Sequence, residues 1–287
     1  MSIESDRRYV IEAASRGVIP SKVPSHKIVI VVGAGAVENA WQPVIRALRK
    51  DFFHDKNLEF DGDCANSYLA RIVYLLRFYS AADSDLLVEL MDQTKRLKKK
   101  ICAELKIAQD NREIKARPQL KSILEKFVFK EEGSSFLIVN ANWDTVMDKE
   151  IIRLSSPYYE NLSAIHIHGD IATSGSLYLP SEVTIEPYRT EAERSEIGGI
   201  HRGIWEAMEK ANTTILYGLS LDPLDAELCQ TLAVGWSSPE NRNIIIIDPQ
   251  HDIIAKRVRL LADVRYNVNV IGYSPDDLNS KTVYKSR

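Results

Sequence analysis

The feature that most constrains this chain is a set of short apolar, β-branched runs set apart by longer stretches of helical period. The runs are residues 27–32 (KIVIVV), 136–139 (FLIV), 164–167 (AIHI), 213–217 (TTILY), 243–247 (NIIII) and 267–271 (NVNVI). Runs that are apolar on both faces suit strands covered on both sides, as in a parallel sheet. Helical periodicity over residues 42–50, 191–210, 223–233 and 251–262 supplies the crossovers between them. The alternation predicts an α/β fold: a doubly wound, mostly parallel, Rossmann-like sheet with helices on both faces.

The first two runs lie about a hundred residues apart, far more than one crossover helix needs. Helical pattern fills that interval, as in residues 67–79 (SYLARIVYLLRFY), 82–108 and 119–129. We read residues 51–132 as a helical insertion after the first strand and helix, a cap over the site or an oligomer surface, inside one domain spanning 1–287. Residues 170–190 form a second irregular stretch, with a strand-like piece at 176–179. Residues 274–287 read as a polar, frayed end.

Composition fits this frame. The chain has 287 residues, 45% of them hydrophobic, enough for one large core or one core plus a small helical subdomain. A net charge of -3 argues against a polyanion binder. Cys64, Cys102 and Cys229 are scattered and form no Cys-x-x-Cys pair, so neither a zinc ribbon nor a disulfide framework is expected. The first residues carry no apolar signal region, and no stretch reaches the length of a membrane span. The expectation is a cytoplasmic protein that binds neither membrane nor nucleic acid directly. The basic run Lys95, Arg96, Lys98, Lys99 and Lys100 reads as a solvated helix face.

In open α/β sheets ligands bind outside the carboxyl ends of the strands. Five successive strand ends here carry glycine or a polar side chain: Gly33, Ala34 and Gly35; Asn140, Asn142 and Asp144; His168, Gly169 and Asp170; Gly218 and Ser220; and Asp248. The glycines let the backbone turn sharply and approach a ligand. A helix beginning near Trp41 would aim its N-terminal amides at an anion. Glu38 stands where a dehydrogenase fingerprint has its third glycine. Asp51 and Asp55 do not close a second strand, which disfavours hydride transfer. Asn142 could hold a ribose hydroxyl or a water. Asp144 could orient its neighbours or cap the following helix.

His166, His168 and Asp170 alternate, so a continuing strand would put them on one face. With no third histidine or cysteine nearby, no metal site is expected; His201 and His251 lie in remote helical patterns. His166 reads as a packed strand histidine with its nitrogens satisfied. His168, before a glycine at the strand end, is the general-base candidate.

The ordered set VVGAGA (31–36), NANWD (140–144), IHIHGD (165–170), LYGLSLDPLD (216–225) and IIIIDP (244–249) resembles the sirtuin family over about residues 27 to 250, most of the chain. The departures are Val37 where the family's loop has a serine, Ala141 where it has a glutamine, and the lack of the paired-cysteine zinc module. Lacking that module, the chain is similar in character to bacterial sirtuin-like NAD-hydrolysing proteins, many of them anti-phage effectors. The resemblance implies NAD+ as substrate, with the diphosphate over Gly33, Ala34, Gly35 and Ala36 and near Ser220. It places the adenosine end by Gly218 and Asp248, and the nicotinamide ribose or attacking water by Asn142 and Asp144, with His168 as base. It implies NAD+ glycohydrolase activity, protein deacylation being disfavoured. The alternatives are a sensor that binds NAD+ or ADP-ribose without cleaving it, and an interaction module that assembles a homo-oligomer or a partner complex through the helical insertion.

Overall fold

The computed structural model describes residues 27–51, 60–82, 85–129, 134–159, 162–172, 177–262 and 268–284. Strands β1 (Lys27–Val32), β4 (Ser135–Asn140), β5 (Ala164–His166), β6 (Thr213–Tyr217), β7 (Asn243–Ile247), β8 (Asn269–Ser274) and β9 (Asp277–Tyr284) form one sheet in the order β5-β4-β1-β6-β7-β8-β9. All neighbours are parallel except β8 and β9. The fold is therefore α/β and Rossmann-like. The chain winds outward from β1 through β4 to β5, then returns past β1 to β6. The crevice where that direction reverses, at the carboxyl end of β1, is where doubly wound sheets bind ligands.

Side-chain alternation along β1 divides the core into two layers. Ile28, Ile30 and Val32 face one layer, and Val29 and Val31 the other. The first layer is closed by α1 (Gln42–Asp51), α2 (Gly62–Ala81), α3 (Leu86–Asp110), α4 (Leu120–Phe127) and α5 (Val146–Ser155). Leu48, Leu69, Val73, Leu97, Ile101, Ile123 and Ile151 supply its buried stripes. The second layer is closed by α6 (Glu191–Glu209), α7 (Ala226–Trp236) and α8 (His251–Leu261), through Ile204, Met208, Leu232, Trp236 and Val258. A capping box opens α6: Thr190 accepts from the Glu193 amide while Glu193 reaches back to the Thr190 amide.

The interval between α1 and β4 contains α2, α3 and α4. It also contains a short strand, β3 (Lys115–Ala116), which pairs antiparallel with β2 (Val37–Glu38) just after the glycine loop. The buried residues of these helices join the same cluster as β1 and β4. The ends of this stretch, 52–59 and 130–133, lie outside the described residues, as do the N-terminal segment, Ser176 and Asn267.

Three expectations are corrected. Residues 277–284 are not frayed: they form β9, whose polar, mostly exposed side chains suit an edge strand, with Tyr284 anchored on His251 and Asp252. Leu177, Tyr178 and Leu179 are buried but not in a strand. The irregular segment after them is tied down by charge: Arg189 and Lys98 pair with buried Glu182, and Arg77 with buried Glu186. Lys98 thereby leaves the solvated face expected of the basic run, whereas Lys95, Arg96 and Lys99 are exposed. Among the described residues no helix is long and apolar enough to cross a membrane.

Candidate functional site

A cleft of about 480 Å³ lies at the carboxyl ends of the strands, within the range typical of small-molecule sites. Gly33, Ala34, Gly35, Asn142, Asp144, His168, Gly218, Ser220 and Asp248 all line it. Ala36 does not; it is fully buried beneath the loop.

The glycines are also required by crowding between two loops. A Cβ on Gly33 would lie 2.6 Å from the Gly218 carbonyl oxygen, and one on Gly35 2.9 Å from the same atom. Gly218 has φ +60°, and a Cβ there would meet the Ala36 nitrogen at 2.1 Å. The loops after β1 and β6 are thus pressed backbone to backbone, which only glycine permits. Their amides are largely consumed: Gly33 N–H donates to Tyr217 O at 3.0 Å, Gly35 N–H to Gly218 O at 2.9 Å and Ala36 N–H to Gly33 O at 3.0 Å. α1 begins at Gln42, next to Trp41, where the sequence placed a helix start. A 3₁₀ turn at Ala34–Ala36 and β2 intervene before α1 begins.

The cations in the cleft come instead from two arginines not singled out in the sequence. Arg117, just after β3, donates Nε to Gly35 O at 2.7 Å. Arg257, on α8, donates Nη1 to Ser220 O at 2.6 Å. Each guanidinium rests on the rim of one glycine loop.

Below the cleft floor, β4, β5 and α5 contribute a closed polar network. Asn140 and His166 are partners in the β4–β5 register. Asn140 Nδ2 donates to Asp148 Oδ1 at 2.9 Å, and its Oδ1 accepts the Asn142 amide at 2.9 Å. Asn142 Nδ2 donates to Gly33 O at 3.2 Å, 109 residues away in the chain. His166 meets the Asn142 carbonyl oxygen through Nδ1 at 3.0 Å and Asp148 Oδ2 through Nε2 at 2.5 Å. The carbonyl can only accept, so Nδ1 carries a proton, and Nε2 shares one with the Asp148 carboxyl group. Burial acts to lower the His166 pKa, but Asp148 and the Asn142 carbonyl outweigh burial and raise it.

Asp144 is 3% exposed, and its Oδ1 accepts the Val146 amide at 3.0 Å, a turn-capping role. Burial pushes its carboxyl up to about 6; the Val146 amide opposes this and the Asp148 charge adds to it.

β5 ends at His166, so the expected His-x-His-x-Asp face does not form. His168 Nδ1 lies 3.2 Å from Ala141 O, and Asp170 turns back to the Ala172 amide at 2.7 Å. A carbonyl only accepts, so Nδ1 carries a proton and Nε2 is the ring nitrogen at which His168 gains or loses one. The ring lies against Tyr178, with centroids 5.6 Å apart and planes within 12°. Tyr178 N–H donates to His168 O at 2.9 Å, and its hydroxyl donates to Glu227. His201, remote in sequence, packs on the same tyrosine at 5.9 Å.

The far side carries three more carboxylates. Asp248 caps the Gln250 amide at 2.7 Å and Asp222 the Leu224 amide at 2.9 Å. Burial raises the pKa of Asp225, which the nearby His168 opposes, and burial also raises that of Asp248. At the other end, Trp41 and Trp143 meet edge to face at 6.5 Å beside Val37, Val44 and Leu105, making an aromatic wall. Among the described residues no group of three or more histidine, cysteine or acidic side chains is placed to hold a metal. Compared with known proteins, the chain matches no family model and no curated protein sequence.

Proposed function

We propose that this chain is a sirtuin-like NAD+ glycohydrolase that releases nicotinamide and ADP-ribose. The observation that carries the reading is His168. Its Nδ1 is pinned by a backbone carbonyl, which leaves Nε2 to take up a proton, and it shares a switch-point cleft with Asn142.

In this reading the diphosphate lies over Gly33, Ala34 and Gly35 and near Ser220. Its charge is met by Arg117 and Arg257, because most of the loop amides are already bonded. Asp248 faces the adenosine ribose, and Asn142 a hydroxyl of the nicotinamide ribose. Water adds to C1′ as the bond to the pyridinium nitrogen breaks. The electron pair of that bond neutralises the ring, nicotinamide leaves uncharged, and the water proton passes to His168 Nε2 and on to solvent. Positioning and exclusion of bulk water account for the remaining rate enhancement.

The test is product analysis by mass spectrometry after incubation with NAD+, for the wild type, His168→Ala and Asn142→Ala. The reading expects nicotinamide and ADP-ribose from the wild type and strong loss in both variants. Equal release by all three sinks the site assignment. A thermal shift with NAD+ or ADP-ribose and no release makes the chain a nucleotide sensor instead.

A further inference from the structure

Every polar group of Asn142 but one is already engaged. Its N–H is held by Asn140 Oδ1, its carbonyl by His166 Nδ1, and its Nδ2 by Gly33 O. Because Gly33 O can only accept, the amide is oriented with Nδ2 on that side, leaving Oδ1 as its acceptor toward the cleft it lines.

The groups that hold Asn142 converge on one carboxylate. Asp148, in the first turn of α5, uses Oδ1 for Asn140 and Oδ2 for His166. It thus binds both side chains that grip the Asn142 backbone, one on β4 and one on β5, and none of the three reaches the cleft lining. We infer that Asp148 and His166 are positioning residues, His166 acting directly on the Asn142 carbonyl and Asp148 through His166 and Asn140, that fix the Asn142 amide so that Oδ1 presents a single acceptor to a hydroxyl of the bound ligand. The raised pKa of His166 fits this arrangement, since both partners favour the protonated ring over the pull of burial.

The inference rests on the hydrolase reading only for the identity of the ligand. A partner behind the contact residue matters because small misplacements are costly; losses of about 10- to 100-fold are typical when such partners are removed. A purely structural role would lower stability and add independently to other losses.

The experiment is a double-mutant cycle in the full chain with Asp148→Asn, Asn142→Ala and the pair together, read as kcat and KM for nicotinamide release. Asp148→Asn is expected to lower kcat about 10-fold or more, with KM changed less, and to cost nothing further once Asn142 is alanine. Losses that multiply overturn the inference. Removing one member of a buried pair can unfold a chain, so His166→Gln with Asp148→Asn, which removes both members together, is run in parallel.

A ligand-free measurement separates this from the hydrolase reading. With asparagine selectively labelled with 15N, the Asn142 side-chain amide signal should move and exchange faster in Asp148→Asn or in the double variant. An unmoved signal overturns the positioning role even if NAD+ is cleaved. A moved signal without nicotinamide release supports positioning and refutes the hydrolase alone.

Discussion

The two halves of the cleft are built differently. On the β4–β5 side, Asn140, Asn142, Asp148 and His166 bond mainly to one another and fix each other's geometry. On the β6–β7 side, Asp222 and Asp248 bond to backbone amides two residues on, and Arg257 to a loop carbonyl. The first half defines where atoms sit, and the second offers charge and shape along a backbone track. Bond-breaking chemistry demands the former, whereas holding a long, charged ligand needs only the latter.

The largest expected effect lies in the first half. His168→Ala should reduce nicotinamide release by about 100- to 10,000-fold, the usual contribution of a general base, while the circular dichroism spectrum is retained. Retained activity would mean that the two halves do not divide the work in this way.

The next effect belongs to the second half and falls on stability. Gly218→Ala forces a side chain into a left-handed conformation and against the Ala36 nitrogen. Denaturant unfolding should show a loss of about 3 kcal/mol or more. A tolerated alanine would show that the loops are not locked together.

A third test returns to the network. The Asp144 pKa is raised in the folded chain, from an ordinary 3.8 to about 6. The folded state therefore binds its proton more tightly. The associated stability is present below the unfolded value, falls as pH rises through about 6, and is lost above it. Asp144→Asn should leave stability unchanged near pH 4 and raise it by up to about 3 kcal/mol at pH 8. Urea midpoints at the two pH values check this, and an equal change at both would mean that Asp144 pays no burial penalty.

The smallest effect is on affinity. Arg257→Ala should weaken ADP-ribose binding about 10-fold by calorimetry and barely move the melting temperature. A large stability loss would make Arg257 a brace rather than a ligand contact.

Much of this cleft was legible in the sequence because parallel strands buried on both faces announce themselves as apolar runs. The residue after each run then falls at one end of the sheet. That logic placed Gly33, Asn142, His168, Gly218 and Asp248 together on the lining. It failed where position depends on contacts between distant segments. Asp148 looks like an ordinary first-turn acid, Tyr178 sits in an irregular stretch, and Arg117 reaches Gly35 across 82 residues. β9 was hidden because an edge strand can be polar on most of its surface. The glycines were found, but one reason for them was not: crowding from another loop 185 residues away (Gly33 to Gly218).

That crowding has a kinetic consequence. Two loops bonded backbone to backbone leave no gap for a ligand to enter, so any seat here lies across their rims and exists before anything arrives. A ligand settling there loses its own freedom but orders no loop, and the entropy of immobilising the chain drops out of its affinity. Association at this seat should therefore be set by diffusion past the rim, not by an opening step of the floor.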